Sequence, residues 1–407
     1  GFLESRELLL DSQHGFRKGR SCLTNLLAFL DTVTGVLDEG ECIDAVFLDF
    51  AKAFDKVPHQ RLLQKLTSHG IDGKIKIWIS EWLKQRKQRV TINGVFSDWR
   101  EVFSGVPQGS VLGPVLFLIY INDLDNGVQN WILKFADDTK LFGRVRNSED
   151  GRRLQQDLDK LIQWSEDWQM LFNAGKCKVM HFGRGTIEQE YYMHSHRLDR
   201  VTEERDLGII ISENLKVSVQ CGKAYAKANR LLGVLYRTIA HKTTDIMVKL
   251  YKTLIRPHLE YGVVAWSPHY VKDRELLERV QHRFTRMFPY LRERPYNSRL
   301  VELGLYTLEE RRNRADLVEV YKMLNGLSRL PFGTFFELRE GDRTRGNSLK
   351  LTKHRSRLDL RQHFFSERVV NSWNRLSNDA VTATSLNSFK NELSRQRYIL
   401  MDPTIDC

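Results

Sequence analysis

The sequence predicts an α+β fold, in which a sheet with packed helices is followed by a helical C-terminal region. Residues 131–142, WILKFADDTKLF, contain two strand-like apolar runs separated by Asp137 and Asp138, as expected of an antiparallel hairpin. Residues 44–50, DAVFLDF, form a short apolar run that is typical of a buried strand. From about Val217 the apolar residues recur at helical spacing, which predicts helices as far as the C-terminal region.

Length and composition indicate a soluble globular protein that binds a polyanion. The 407 residues suffice for two or three domains, with 41% apolar and 28% charged residues. The net charge of +12 favours nucleic acid as a partner, with an acidic membrane surface second. Solubility alone is the simpler explanation of the charge.

The cysteines do not predict a disulfide framework or a zinc site. There are five, none in a CxxC pair, which favours reduced thiols in a reducing compartment. The longest apolar run, 111–121, is too short to span a bilayer, so we expect no membrane partner. The chain starts with Gly1 and carries no secretory signal, so we expect a fragment or a processed product.

The N-terminal part predicts a basic glycine loop and several helices. Residues 11–20, DSQHGFRKGR, combine glycines with cations that suit phosphate, although a basic turn on the surface is an equal alternative. Leucines at helical spacing predict a helix over 21–38. Helices are also predicted after Pro58 and over 75–83, followed by a hairpin around Gly94.

The middle of the chain contains a second glycine-rich loop and further elements. In SGVPQGSVLGPVLFLIYINDL, 104–124, a rigid loop carries Gln108 and is followed by a helix that starts at Pro114; a simple helix cap is the alternative. Apolar periodicity predicts a helix over 149–172. A turn and strand over 173–183 and one apolar strand over 205–211 complete this part.

The C-terminal region is predicted to be helical and basic. Residues 339–361 contain eight Lys or Arg and three Asp or Glu, which favours contact with phosphates or else a solvated linker. The helices expected in this region cover 224–237, 246–254, 275–288, 308–324, 364–376 and 385–397.

Three carboxylates are candidates for metal binding. An isolated Asp137–Asp138 pair is common at polar hairpin tips, but adjacent carboxylates repel unless a cation lies between them. Asp49 at the end of a buried strand is a stronger signal, because a buried charge needs an ion pair or a metal. Carboxylates from distant strands suit two Mg²⁺ or Mn²⁺ ions about 4 Å apart, the arrangement used in nucleotidyl transfer.

The sequence resembles the reverse transcriptases of non-LTR retrotransposons, closest to the jockey and chicken-repeat group of LINE elements. The resemblance rests on motifs that occur in the family's order and approximate spacing. These are GFRKGRS (15–21), FLDFAKAFDKV (47–57), GVPQGSVLGPVLFLIYINDL (105–124), FADD (135–138) and NAGKCKVMHFG (173–183), with weaker likeness in IRPHLEYGVVAW (255–266) and LGLYTLEERR (303–312).

By resemblance, the site residues take named roles. Asp49, Asp137 and Asp138 would bind magnesium, and Lys176 would protonate the leaving pyrophosphate. Phe54 matches the family's steric gate against a ribose 2′-OH, and Gln108 and Gly109 match the loop along nucleotide and template. Arg17, Lys18 and Arg20 match finger residues near template and triphosphate. Leu207-Gly208 matches the primer grip.

The resemblance implies a right-hand polymerase fold and its reaction. We expect partial fingers and palm over 1–185, primer grip and all-α thumb over 186–270, and a basic helical region over 271–407. The palm would be an antiparallel sheet with packed helices. The function would be RNA-directed DNA synthesis, with an RNA template, a DNA primer or target, and dNTPs as partners. The expected location is a ribonucleoprotein in nucleus and cytoplasm.

Three other functions compete with this prediction. A truncated, inactive remnant would only bind RNA. An RNA-dependent RNA polymerase shares the metal chemistry, but Phe54 and the Ala136-Asp-Asp pattern favour DNA synthesis. A maturase is less favoured, because no compact basic splicing domain follows the predicted palm.

Overall fold

The secondary structure alternates between short strands and helices up to about residue 212 and is helical beyond it. The computed structural model describes residues 2–184, 189–339 and 346–397. The strands are β1 Ile43–Leu48, β2 Lys87–Gln88, β3 Thr91–Ile92, β4 Val95–Phe96, β5 Arg100–Glu101, β6 Trp131–Phe135, β7 Asp138–Arg144, β8 Lys178–Phe182, β9 Tyr192–Met193, β10 His196–Arg197, β11 Asp199–Arg200, β12 Glu203–Asp206 and β13 Ile209–Ser212.

The α-helices range in length from a single turn of 4 residues to 21 residues. They are α1 Phe2–Ser5, α2 Cys22–Asp38, α3 Ala53–Lys56, α4 His59–Ser68, α5 Gly73–Leu83, α6 Leu112–Ile121, α7 Ser148–Asp167, α8 Ser218–Thr238, α9 Thr244–Leu250, α10 Pro257–Glu260, α11 Val263–Trp266, α12 Val271–Thr285, α13 Tyr296–Glu302, α14 Leu308–Leu324, α15 Phe332–Phe335, α16 Asp359–Gln362, α17 Phe365–Asn374, α18 Asn378–Val381 and α19 Leu386–Arg395.

The chain forms two compact units. Unit 1 consists of Gly1–Asn25 and Glu41–Thr202, and unit 2 of Leu26–Gly40 and Glu203–Cys407. The functional limits predicted at 185 and 270 stay predictions. The limit at 185 and residues 340–345 of the basic segment lie outside the described residues.

Unit 1 is built on a five-stranded sheet in the order β11-β8-β1-β7-β6. The pairs β1–β7, β1–β8 and β6–β7 are antiparallel, whereas β11 pairs with β8 in parallel. The prediction of an antiparallel sheet is therefore wrong for the outer strand β11, which makes the sheet mixed. Strand β1 has a neighbour on each side and every one of its residues is buried, which explains its continuous apolar run.

The core of unit 1 lies between the sheet and helices α4, α6 and α7. These helices contribute Leu62, Phe117 and Leu158, which have no exposed surface, against Val46 and Leu141 of the sheet. Each fully buried side chain of this size stabilises the fold by about 2 kcal/mol. The core thus fixes the sheet that carries the candidate carboxylates.

Several predicted boundaries shift for identifiable reasons. Helix α6 begins at Leu112, so Pro114 lies in the first turn, where a missing N–H costs little. Helix α7 ends at Asp167, earlier than predicted, because Gln169 adopts a left-handed φ of 54°. The chain then turns so that Phe172 pairs with Phe50.

The C-terminal segment of unit 2, from Glu203 onward, begins with a hairpin and continues with helices. The single strand predicted over 205–211 is wrong: Leu207 and Gly208 have φ values of 44° and 89°, and they form the turn between β12 and β13. The predicted helix over 308–324 is confirmed as α14, and those over 364–376 and 385–397 appear as α17 and α19 with shorter ends.

Two further properties concern the described residues. No helix among them combines the length and the apolar character needed to cross a bilayer. Among the described residues, the cysteines Cys22, Cys42, Cys177 and Cys221 form no disulfide bond.

Candidate active site

Asp49 follows the last residue of β1, and the segment 173–177 fixes its backbone. The Asp49 carbonyl accepts a hydrogen bond from the Asn173 N–H at 2.7 Å, and the Asp49 N–H donates to Cys177 Sγ at 3.4 Å. Burial raises the pKa of the Cys177 thiol to about 11, so this group is a neutral packing partner at pH 7. The direction of the Asp49 side chain is therefore set by a segment far away in sequence.

The Asp49 carboxylate has one buried oxygen without a hydrogen-bond partner. Its Oδ2 is shielded from solvent, and Lys176 Nζ lies 3.2 Å from it as an ion pair outside hydrogen-bond geometry. An uncompensated buried carboxylate oxygen is costly in free energy. Such an atom is the kind of ligand that a hard cation prefers.

Asp137 lies in the tight turn between β6 and β7. Because Phe135 pairs with Asp138, only Ala136 and Asp137 form the turn. Ala136 has a φ of 56°, a conformation that favours glycine, so other contacts must hold it there.

Gln13 holds this turn in place. Its Oε1 accepts hydrogen bonds from the N–H groups of Ala136, at 2.8 Å, and Gly15, at 2.7 Å, and its Nε2 donates to the Ala136 carbonyl at 3.2 Å. Gly15 packs directly on the turn: a Cβ there would lie 2.4 Å from the Ala136 nitrogen. Only glycine fits at this position, which explains one glycine of the 11–20 loop.

The sheet brings the carboxylates to one edge. Leu48 pairs with Thr139, so Asp49 follows β1 at the edge where Asp137 and Asp138 precede Thr139. Burial raises the pKa of Asp137, and the negative charge of Asp49 raises it further, so the two carboxylates lie close enough to interact. Asp138 is exposed as the first residue of β7.

These residues fit a divalent metal ion by their chemistry. Among the described residues, no group of three His, Cys, Asp or Glu side chains forms a complete ion site by itself. The fit rests instead on the orphaned oxygen of Asp49 and the repulsion between Asp49 and Asp137, both of which a cation would relieve. Magnesium is usually held by one or two carboxylates together with substrate phosphates, so an incomplete protein site is normal.

Phe54 lies five residues after Asp49 and is partly exposed between two other rings. It stacks on Phe117 of α6, with ring centroids 4.3 Å apart, and meets Phe16 edge-on at 6.3 Å. Its carbonyl accepts a hydrogen bond from the Val106 N–H at 2.8 Å. The Phe54 ring is therefore held by Phe16 of the 11–20 loop and by Phe117 of helix α6.

Gln108 and Gly109 lie in the exposed loop that precedes α6. Gln108 Nε2 donates to Asp55 Oδ1 at 2.8 Å. Gly105 packs so closely that a Cβ would lie 2.7 Å from the Asp55 carbonyl oxygen, whereas Gly109 has open space around it and a φ of 79°. The loop is thus anchored to the segment that carries Phe54, and its tip stays accessible.

The three basic residues of the 11–20 loop differ in their surroundings. Arg17 is buried, forms an ion pair with Glu4 at 3.3 Å and donates to the Leu10 carbonyl at 2.6 Å. Arg20 pairs with Asp11 at 2.5 Å. Both guanidinium groups hold the loop together in this structure, and only Lys18 of the three is exposed. A substrate contact by Arg17 or Arg20 would require these bonds to rearrange, and all three roles stay predictions.

Comparison with protein families decides the identity of this arrangement. Residues 2–234, more than half of the chain, match the family described as "Reverse transcriptase (RNA-dependent DNA polymerase)". The chain belongs to the reverse transcriptase family.

Relatives of this reverse transcriptase include insect mobile elements. It is 29% identical over 311 residues to the RNA-directed DNA polymerase from mobile element jockey of Drosophila funebris, which covers 69% of this chain and 32% of that protein. It is 26% identical to the probable RNA-directed DNA polymerase from transposon BS of Drosophila melanogaster, over 77% of this chain and 36% of that protein. The chain spans about a third of the length of these relatives.

Solved structures resemble the chain more distantly. An apo telomerase from Candida tropicalis aligns with a TM-score of 0.41 and 11% identity, over 71% of this chain and 48% of that one. No argument about this reverse transcriptase rests on that likeness.

Sequence reasoning missed Gln13, which forms two hydrogen bonds with Ala136 in the turn that contains Asp137. It precedes the recognised GFRKGRS motif by two positions and is only 1% exposed. A glutamine before a glycine loop has no spacing that predicts its partner, which lies 123 residues away. Only its polar character among buried neighbours signals a role, and burial requires the structure.

Proposed function

We propose that this chain carries the polymerase centre of a jockey-like non-LTR retrotransposon. It would add deoxynucleotides to a DNA 3′-end, with RNA as the template. The observation that carries the proposal is the meeting of Asp49 and Asp137 at one sheet edge, where their mutual repulsion and the orphaned Asp49 oxygen call for cations. A right-hand arrangement with the sheet of unit 1 as palm and α8 in the thumb accompanies this proposal.

Asp49 and Asp137 would hold Mg²⁺, or Mn²⁺, with Asp138 as a further ligand. Bound there, such ions supply activation of the primer 3′-hydroxyl and neutralise charge on the triphosphate. The carboxylates themselves must be ionised to bind a cation. Because the pKa of Asp137 is raised in the absence of a cation, binding releases a proton at pH values near or below that raised pKa.

Lys176 and Phe54 would act on opposite ends of the nucleotide. Lys176 is exposed next to Asp49, and its Nζ would donate a proton to the leaving pyrophosphate as the new phosphodiester bond forms. Phe54 is fixed by Phe117 and would exclude a ribose 2′-hydroxyl by its volume. Gln108 and Gly109 would line the path of nucleotide and template.

Primer extension tests the proposal directly. The chain is incubated with poly(rA), an annealed oligo(dT) primer, dTTP and Mg²⁺, and incorporation is measured. We expect incorporation by the wild type and none by Asp137→Ala, with RNA binding retained in the variant. Asp72→Ala removes an exposed carboxylate outside the site and should behave as wild type.

Each contrary outcome identifies a different function. RNA binding without incorporation by the wild type would indicate an inactive remnant. Incorporation of UTP in preference to dTTP would indicate an RNA polymerase. The ribonucleoprotein location in nucleus and cytoplasm is likewise a proposal, which fractionation of expressing cells would test.

A further inference from the structure

Residues 84–103 form an exposed two-stranded hairpin, termed the 84–103 hairpin, that the polymerase site does not use. Strand β3 pairs with β4 in the register Thr91↔Phe96, and β2 pairs with β5 at its base. The connecting turn contains Asn93 and Gly94, whose φ values of 49° and 82° match the tight turn expected of an Asn-Gly pair. The geometry of this arm is therefore encoded locally.

One face of the hairpin carries an arginine between two aromatic rings. The Arg89 guanidinium lies 3.8 Å from the ring centre of Phe96 and 4.6 Å from that of Trp99. Despite this contact, Phe96 is 55% and Trp99 58% exposed. The result is an ordered flat surface that remains open to solvent, with a cation at its centre.

The apolar exposure of the 84–103 hairpin is unusual for a soluble surface. Large contiguous apolar patches on a soluble protein mark an interaction site. Cross-strand pairing puts Ile92 and Val95 together away from Phe96, so both faces contain exposed apolar groups. The exposed apolar residues of the hairpin are Val90, Ile92, Val95, Phe96, Trp99 and Phe103.

Charge decides which partner fits the aromatic face. The 84–103 hairpin contains five Lys or Arg and two Asp or Glu. Among the residues that the structure describes, no carboxylate forms an ion pair with Arg86, Lys87, Arg89 or Arg100. Because these cations form no ion pair with a carboxylate, they favour a polyanionic partner. The exposed rings favour a partner with accessible flat faces.

Single-stranded nucleic acid has both properties. Its phosphates neutralise the cations, and its unpaired bases can stack on aromatic rings, whereas the base faces of a duplex are already covered. An acidic protein surface would satisfy the charges but would leave the rings without a stacking partner.

The hairpin is also connected to the polymerase site by a short segment. Only the six residues 102–107 separate Glu101 from Gln108, so the two lie within about 25 Å along the chain. Within this segment Ser104 Oγ donates to the Asp55 carbonyl at 2.8 Å, which anchors the base of the hairpin near Phe54. A strand that enters the site can therefore reach the hairpin.

We propose that the aromatic face of the 84–103 hairpin, Arg89 with Phe96 and Trp99, is a stacking platform for the unpaired RNA template strand. The assignment to the template, rather than to any single strand, rests on the proposed polymerase function. The platform would hold bases by stacking and phosphates by the surrounding cations, without reading sequence.

Equilibrium binding of a labelled single-stranded 15-nucleotide RNA to the full chain tests the platform. Trp99→Ala and Phe96→Ala should each weaken binding by about tenfold, since base stacking on one ring contributes about 1–3 kcal/mol. Arg89→Gln should lower the slope of log affinity against log salt by about one, if Arg89 neutralises one phosphate. Tyr192→Ala, an exposed aromatic on β9, is the matched control and should bind as wild type.

Other outcomes would overturn the proposal. Unchanged affinity of both aromatic variants would exclude stacking, and an equal loss for blunt duplex RNA of the same length would exclude a single-strand platform. A change in oligomeric state with RNA affinity unchanged would assign the surface to a second copy of the chain. Thermal melting checks that each variant folds, which we expect because the substituted side chains are exposed.

Kinetics separate this inference from the polymerase proposal. Trp99→Ala should raise the KM for template by about tenfold and leave kcat unchanged at saturating template. If the wild type shows no incorporation, the polymerase proposal fails while the binding measurements still test the platform. If incorporation is normal and the variants bind RNA as wild type, only the platform is wrong.

Discussion

The central strand β1 carries one carboxylate near its start and another just beyond its end, and the two have opposite surroundings. Asp44 is buried and accepts hydrogen bonds from Tyr191 Oη at 2.7 Å and from His181 Nδ1 at 2.6 Å. Burial and the Asp44 charge raise the pKa of Tyr191 far above its usual range, so it remains a donor. Asp49 instead has a buried oxygen without a hydrogen bond and faces Asp137.

The comparison distinguishes a structural carboxylate from a ligand. At the Asp44 end, neighbouring side chains satisfy the acid, so the fold is stable without any added group. At the Asp49 end, the fold keeps two acids close together, and the Asp49 oxygen has an ion pair with the exposed Lys176 but no hydrogen bond. A protein tolerates such a cost where function requires it, and relief by a bound cation is the role proposed above for Asp49 and Asp137.

The largest expected effect is a loss of stability on removal of the Asp44 carboxylate. Asp44→Ala leaves the buried groups of His181 and Tyr191 without their acceptor and should lower the free energy of unfolding by about 3 kcal/mol. Chemical denaturation measures this loss. Incorporation per folded molecule should stay close to wild type at low temperature, and a selective loss of kcat there would contradict a purely structural role.

The next effect concerns how the Asp137 turn is positioned. Gln13→Met removes all three hydrogen bonds to the 11–20 loop and the turn at similar volume, and should lower kcat by about 100-fold, since a small misplacement of reacting groups has that consequence. Primer extension at saturating dTTP and template measures it.

A positional role for Gln13 predicts more than a loss of rate. The Mg²⁺ concentration for half-maximal activity should rise, because the turn that carries Asp137 is less constrained. Gln13→Glu keeps the oxygen acceptors and should recover part of the activity. Equal rates in Gln13→Met and wild type at equal folded fraction would remove Gln13 from the site.

A smaller effect, on the ratio of UTP to dTTP incorporation, tests whether Phe54 acts as the steric gate or only packs against other aromatic rings. Phe54→Val should raise UTP incorporation relative to dTTP by about tenfold, because less volume opposes the 2′-hydroxyl. Phe389 in unit 2 is the matched control, since it stacks on Tyr321 at 4.4 Å much as Phe54 stacks on Phe117 at 4.3 Å. Phe389→Val should cost stability and leave the nucleotide ratio unchanged; the same ratio in both variants would exclude the gate.

The smallest effect concerns stability at the Asp137 end. Asp137→Asn removes a buried charge that faces Asp49, so it should raise the free energy of unfolding by about 1 kcal/mol at pH 7 without metal, although it abolishes incorporation. Thermal melting with and without Mg²⁺ measures this. Magnesium should stabilise the wild type and have little effect on the variant.

The pH dependence of that gain has a definite sign. The pKa of Asp137 is raised in the folded state, so the fold favours its protonated form and ionisation costs stability as pH rises. The advantage of Asp137→Asn should therefore be complete above the raised folded pKa and disappear below the ordinary value near 3.8. An advantage that persists at pH 3 would mean that charge is not its cause.

Much of the fold could be predicted from local patterns. The buried run of β1, the hairpin around Asp137 and the helix α2 follow from apolar spacing, and each appears close to its predicted place. The end of α7 and the hairpin at Leu207 could not be predicted in this way. The end of α7 depends on a turn that lets Phe172 pair with the distant Phe50, and the hairpin depends on two consecutive residues with positive φ. Apolar spacing does not encode either turn.

The sequence by itself determined which residue types could bind a cation and where along the chain they lie. It also determined the family motifs, because their order and spacing are linear properties. Only the tertiary structure decided that Asp44 is satisfied and Asp49 is not, that Arg17 is engaged by Glu4, and that Gln13 holds the turn of Asp137. The physical reason is that periodicity specifies which face of an element is buried, whereas the partner of a buried polar group is set by packing between residues that can lie more than a hundred positions apart.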